Sequence, residues 1–375
     1  VTTFITRLDH SGSGPRLAVK DLIDVRGVPT TAGCRAVAET AQPAAADAGC
    51  MAGARAASAA IVGKANLHEL AFGGAGVNEW YGTPVNPLDP ELLPGGSSSG
   101  SAVAVAEGSA DYAYGTDTGG SVRIPSAFCG LAGLKTTYGR ISLDGVWPLA
   151  PSFDTVGPIA RDVAGLAAAM ALLEPGFAAG SSPLTRIGRI RPSAEGTDPR
   201  VDAAVDAALE RSGLQVCELE LPEWPAALIH TFVLLDGEAA VVNAPLLADP
   251  ASDGKISADV RARLEQGATV TPEQVSQARV FQRSWQAQWA ALLSSVDAIA
   301  LPTVAFFPPP LAEARQRYFT QLTAPVNLAG LPALALPVPS EHRLPASLQL
   351  VGPAGGEELL LATGAALEEA AGYRR

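Results

Sequence analysis

DYAYGTDTGGSVRI occupies residues 111–124. It reads as a short strand followed by a glycine-rich loop that ends at Pro125, so Ser121 falls on a tight turn rather than inside an element. Such a turn can present a hydroxyl. Upstream, residues 73–101 are rich in Gly, Pro, Asn and Ser and end in GGSSSGS (95–101), which feeds an apolar Ala/Val helix over 102–108. Backbone N–H groups converge there. Nearer the N-terminus, RLAVKDLIDVRGVPT (16–30) reads as a strand, RLAV, then a loop punctuated by Gly27 and Pro29, which sets Lys20 at a strand end. Asp47 is the expected N-cap of an Ala-rich helix running to Ala60, followed by the short strand IVG (61–63) and the segment KANLHELAF (64–72). Downstream, strands are expected at 186–190, 216–219, 297–302 and 333–338. Helices are expected at 199–212, 224–247, 272–294 and 356–371. Strand and helix alternate through short connections, with no internal repeat and no domain linker. This predicts one α/β/α layered domain over 1–375 around a mixed, mostly parallel central β-sheet.

The 375 residues are 47% hydrophobic and only 17% charged, enough for a sizeable core, which excludes disordered and fibrous classes. The 38 glycines and 30 prolines exceed average usage without a collagen-like period, and imply many tight turns. A net charge of −12 repels polyanions and leaves no basic stripe, so no nucleic-acid partner is expected. Arginine does not deprotonate in proteins, so any catalytic lysine must be Lys20, Lys64, Lys135 or Lys255. Cys34, Cys50, Cys129 and Cys217 lack CxxC or zinc-like spacing and read as reduced and buried. VTTFITRLDH (1–10) has no apolar leader core, and the uncharged stretch 318–340 is broken by Pro325, Pro332, Pro337 and Pro339. The expectation is a cytoplasmic protein with no membrane partner.

Three features belong together: a lysine at a strand end, a serine run after Gly95-Gly96, and Ser121 after Gly119-Gly120. Amide hydrolysis by a serine needs a base, and a buried lysine whose pKa has fallen can be neutral and serve as one. His10, His68, His230 and His342 are scattered and no GxSxG elbow occurs, so a Ser-His-Asp hydrolase has little support. HExxH and paired metal spacings are absent too, and neither GxxxxGK[ST] nor GxGxxG appears. No metal, cofactor or nucleotide is implied.

The segments AVKDLIDVRGVPTTAG (18–33), PGGSSSGSAVAVAEG (94–108) and YGTDTGGSVRIPSAFCGLAGLKTTYGR (114–140) resemble the amidase signature family. Supporting stretches are GKANLHELAFGGAGVNEWYGTPVNP (63–87), SFDTVGPIARDV (152–163), TAPVNLAGLPALALPVP (323–339) and LPASLQLVGPAGGEELLLATGAALE (344–368). The likeness covers a core of about 16–165 and a C-terminal segment of about 323–375, with a variable region over 166–322 between them. It implies hydrolysis of a carboxylic amide to the acid plus ammonia or an amine. By the resemblance Ser121 is the nucleophile, Ser97 the bridging serine in a cis peptide, and Lys20 the ultimate base. Thr118, Gly119, Gly120 and Ser121 would supply oxyanion N–H groups. Ser98, Asp117 and Arg123 would support the loop, the last two as a charged network, and Ala71, Gly73, Gly95 and Gly96 would border the substrate.

Two departures stand out. Ser99 occupies a position where the family usually has glycine, where its side chain either narrows the pocket or faces solvent. The chain also starts only 19 residues before Lys20, and its middle region is short, which suggests a more open site. FFPPP (306–310) hints at an apolar or aromatic acyl group. The expected partner is a small-molecule amide, with a homodimer the assembly considered. Alternatives are a glutaminase-type subunit of an amidotransferase and a non-catalytic binding protein of the same fold.

Overall fold

The computed structural model describes residues 2–9, 12–180, 182 and 184–372. His10 therefore lies outside the described residues. Among the described residues eleven strands form one sheet: β1 (Phe4–Arg7), β2 (Arg16–Lys20), β3 (Ala60–Ala65), β4 (Tyr112–Thr116), β5 (Ala132–Lys135), β6 (Val156–Ala160), β7 (Arg186–Arg189), β8 (Gln215–Glu218), β9 (Ala298–Pro302), β10 (Ala333–Val338) and β11 (Ala346–Val351). Their spatial order is β1-β3-β2-β4-β6-β5-β10-β11-β9-β7-β8.

The sheet is mixed as expected, but not mostly parallel. Only β2 with β3 and β4, and β7 with β8 and β9, run parallel; the remaining six neighbouring pairs are antiparallel. The reason is connectivity. A parallel neighbour needs a crossover of a dozen residues or more, which the αβ alternation supplies on the two flanks. In the centre β10 turns into β11 across residues 339–345, and β6 inserts between β4 and β5 against both.

Side chains along a strand alternate between faces, and two of the three buried apolar clusters among the described residues show that alternation along β9. Ile299 and Leu301 join Trp224, Trp285 and Trp289 under the helices Trp224–Ala248 and Pro272–Leu293. Ala298 and Ala300 face the other core, with Leu17, Val19, Leu348 and Leu350, under the helices Val163–Leu173, Pro199–Ser212 and Glu357–Ala371. Lys20 follows Val19 and Gln349 lies between Leu348 and Leu350. Alternation therefore directs both polar side chains away from that second core.

Three local expectations are corrected. Asp47 caps no helix; it accepts the Arg26 N–H and pairs with Arg55 at 2.8 Å, and the alanine-rich stretch is only a 3-10 turn, Gly49–Met51, with a short helix, Ala52–Ala56. The serine run is itself helical, since the helix spans Ser99–Ala106 and not 102–108. Cys217 is exposed because it stands on the edge strand β8, whereas the other three cysteines are buried and none of the four is in a disulfide. By length and composition the helix Trp224–Ala248 could also cross a bilayer, which a search for wholly uncharged stretches misses. It carries two acids, paired as Asp236 with Arg263 and Glu238 with Arg279, and it packs on its neighbours Ala258–Gly267 and Pro272–Leu293.

Candidate active site

Parallel pairing brings the C-terminal ends of β2 and β4 side by side. There Lys20 Nζ donates to Ser97 Oγ at 2.7 Å and to Thr116 Oγ1 at 2.8 Å, all three groups being buried. Burial disfavours the charged form and pushes the Lys20 ammonium down to about 7, against the pull of the Asp117 and Asp154 carboxylates. The Gly96–Ser97 peptide is cis. Gly96 N–H donates to Gly74 O at 2.8 Å and Ser97 O accepts from His68 N–H at 3.0 Å, so the backbone on both sides of Ser97 is anchored.

Ser121 is nearly buried, 8% exposed, where the chain leaves the glycine loop for the helix Arg123–Phe128. The two serine segments are joined through Ser98, whose N–H donates to Ser121 O at 3.2 Å and whose hydroxyl donates to Thr116 O at 3.3 Å. Lys20, Ser97, Ser98 and Ser121 thus fall in one place, from three separate stretches of sequence.

Behind the loop Asp117 is wholly enclosed. It accepts from Gly120 N–H at 2.8 Å, Val122 N–H at 3.2 Å, Arg123 Nε and Nη2 at 2.9 and 2.8 Å, and Asn327 Nδ2 at 2.8 Å. Burial alone would raise its pKa, but the Arg123 guanidinium, then Lys135 and Asn327, hold it well below the usual carboxylate range. Arg123 also donates to Gln349 Oε1 and Asn327 Oδ1, both at 2.5 Å, and to Thr323 O at 3.2 Å. Asp117 and Arg123 therefore form the charged network expected of them. One expected oxyanion donor is already committed, since the Gly120 N–H is taken by Asp117.

Sequence reading missed Thr116, Asp154, Thr323, Asn327 and Gln349. Thr118 Oγ1 donates to Asp154 Oδ1 at 2.6 Å, and burial lifts the Asp154 carboxyl to about 6 despite that bond and the N–H groups of Leu149 and Ala150. Asn327 and Gln349 lie inside the quoted stretches 323–339 and 344–368, where a polar side chain amid apolar neighbours was their only signal.

The glycines expected to border substrate have more immediate reasons to lack side chains. A Cβ on Gly73 would stand 2.2 Å from His68 Nε2, one on Gly96 2.6 Å from Gly76 N, and one on Gly95, at φ +73°, 2.9 Å from Pro125 Cα. Ala71 is buried in the left-handed region at φ 57°. Ser99 is fully buried against Gly76 rather than facing solvent. His68, whose N–H anchors Ser97, is kept neutral by burial, which lowers its pKa to about 4.

A cleft of about 570 Å³, lined by Gly74, Phe232, Asp236, Arg263, Phe319 and Thr320 among others, approaches the loop. A Cβ on Gly119 would stand 3.5 Å from Leu235 and 3.9 Å from Thr320, so the loop's bare edge faces this side. Phe306 of FFPPP packs in the core with Phe128 and Phe319, and only Phe319 reaches the cleft wall. A larger apolar groove, of about 790 Å³ between Tyr138, Val241 and Val270, contains none of the candidate residues. Among the described residues no group of three or more His, Cys, Asp or Glu side chains is arranged to hold a metal ion.

A lysine poised near neutrality on a buried serine, beside a second serine at a glycine turn, defines a hydrolase class, and likeness to known proteins agrees with it. The amidase family model matches residues 13–361, and the chain belongs to that family. It is an amidohydrolase with the mixed sheet and flanking helices of its structural neighbours. It is 37% identical to a glutamyl-tRNA(Gln) amidotransferase subunit of Thermus thermophilus, over 96% of this chain and 85% of that protein. It is 35% identical to the 2-amino-5-chloromuconic acid deaminase of Comamonas testosteroni, over 95% of this chain and 81% of that one. A crystal structure of an amidase superposes with a TM-score of 0.86 at 33% identity, covering 95% of this chain and 84% of the other.

Proposed function

We propose that the chain hydrolyses a small carboxylic amide through an acyl-enzyme on Ser121. Neutral Lys20 takes the Ser97 proton as Ser97 takes that of Ser121, and Ser121 Oγ bonds to the amide carbon. The oxyanion is received by N–H groups of Thr118, Gly119 and Ser121. Collapse breaks the C–N bond, and the proton held by Lys20 returns through Ser97 to the leaving nitrogen, releasing ammonia or an amine. Water then gives up a proton along the same path, attacks the ester, and frees the acid and Ser121.

The observation that carries this reading is the 2.7 Å contact between Ser97 and a lysine whose burial brings it to about 7. The test is ammonia release from acetamide, benzamide, a long aliphatic amide, glutamine and a biuret-type urea, with Ser121→Ala beside the parent. Turnover that disappears in the variant is expected. Turnover that survives it overturns the role of Ser121.

The likeness to the Thermus thermophilus amidotransferase protein favours a second reading, in which the chain supplies ammonia from glutamine within a complex. Copurifying partner chains, with glutamine hydrolysed only in their presence, would establish that role. Hydrolysis of other amides by the isolated chain would exclude it.

A further inference from the structure

We infer that Thr323 is a positioning residue that latches the glycine loop in the orientation receptive to an oxyanion; this rests on the acyl-enzyme reading above. The carbonyl of Gly119 and the N–H of Gly120 are the two ends of one peptide unit. The first accepts from Thr323 Oγ1 at 2.6 Å, and the second donates to Asp117 Oδ1 at 2.8 Å. That peptide is therefore gripped from opposite sides, and it is the one peptide of the loop flanked by glycine at both ends.

Such a peptide needs gripping. Glycine populates positive and negative φ almost equally, and Gly120 stands at φ +129°, so side-chain sterics do little to stop the unit between Gly119 and Gly120 from turning over. Turned over, it would set the Gly119 carbonyl against the Asp117 carboxylate and leave the N–H groups of Gly119 and Ser121, on either side, without a fixed direction. Preorganised donors lower a barrier only if they already point where charge will develop.

Thr323 is suited to hold it. The residue is fully buried. Its N–H donates to Thr320 O at 3.1 Å and its carbonyl accepts from Arg123 Nη1 at 3.2 Å, just before the helix Ala324–Ala329. The approach is close: a Cβ on Gly120 would lie 2.2 Å from Thr323 Oγ1. Asp117 holds one end of the peptide from within the loop, and Thr323 holds the other from a segment 204 residues away along the chain.

The experiment compares Thr323→Val, which keeps the shape and removes the hydroxyl, with Thr323→Ser, which keeps the hydroxyl and removes a methyl. Labelling of Ser121 by an alkyl fluorophosphonate is the first readout, because it needs the nucleophile and the oxyanion donors but no knowledge of the natural amide. Kinetics on any amide the parent turns over are the second. In T323V labelling and kcat are expected to fall roughly 10- to 100-fold with KM changed less than about twofold, while T323S stays within about threefold of the parent. The pH at half-maximal rate should not move, since Thr323 does not touch Lys20. A folded T323V labelled at the parent rate overturns the latch. If T323V melts below the assay temperature, T323A against T323S makes the same comparison, and equal rates overturn it. Absence of labelling in the parent, with amide turnover unchanged in S121A, would instead overturn the acyl-enzyme reading.

Discussion

On the proposed mechanism Lys20 is the residue on which the chemistry turns, and its burial sets a pH signature. With its ammonium brought down to about 7, kcat/KM is expected to rise about tenfold per pH unit below that value and to level off above it. A rate-pH profile on any turned-over amide checks this, and a flat profile from pH 5 to 8 would remove Lys20 as the base. Lys20→Met should cost at least about 100-fold in kcat at its optimum. Asp117 makes a different prediction. Asn in its place leaves the Arg123 guanidinium enclosed without its counter-charge, so Asp117→Asn should lose about 3–5 kcal/mol in denaturant unfolding. A loss under about 1 kcal/mol would mean that Asn327 and Gln349 suffice for Arg123. Ser97 and Ser121 were legible because a glycine pair precedes each, and Lys20 because it ends an apolar strand. Thr323, Asn327 and Gln349 were not, because single polar residues acquire meaning only when folding brings them to Asp117 and Arg123.

At the scale of elements, the strands that were read and the strands that were missed are spread across the sheet, from its edge to its centre. Strands β2, β3, β7 and β10 and the helices Pro199–Ser212 and Pro272–Leu293 match their expected positions closely, each bounded by turn residues or a capping side chain. Strands β1, β5, β6 and β11 escaped, since runs of four to six residues carry too little period to choose strand over buried helix. The central strands also hold the tightest backbone contact. Gly157 on β6 faces Leu134 O on β5, where an added Cβ would stand 2.0 Å away. Gly157→Ala should therefore destabilise the protein by about 3 kcal/mol, read as a lowered denaturation midpoint. An unchanged midpoint would show that β5 and β6 can separate freely.

Across the whole molecule, buried bases shape stability against pH. Lys20 and Lys135 both titrate near 7 in the folded chain, because burial disfavours their charge, and near 10.5 when unfolded. Between those values the unfolded chain binds more protons, so stability rises with pH, by about 2 kcal/mol per lysine from pH 7 to pH 9. Above pH 9 the buried thiols of Cys34 and Cys50, raised to about 12, act in the opposite sense. Asp154, raised to about 6, lowers stability as pH climbs from 3.8 to 6. Unfolding at pH 7 and pH 9 checks the sign, and Lys135→Met should remove roughly half of the gain. A parent equally stable at both pH values would mean that these lysines are charged in the fold.

The hydrogen bond from Arg123 to Gln349 spans 226 positions of chain. On the ribosome, Lys20, Ser97 and Ser121 all emerge long before the strand that carries Gln349. Until that strand is made, the loop around Ser121 is held by its own Asp117 but lacks the support that Arg123 draws from Gln349. On the proposed mechanism, the loop around Ser121 is therefore expected to gain its full hold only late in synthesis, once β11 has left the exit tunnel.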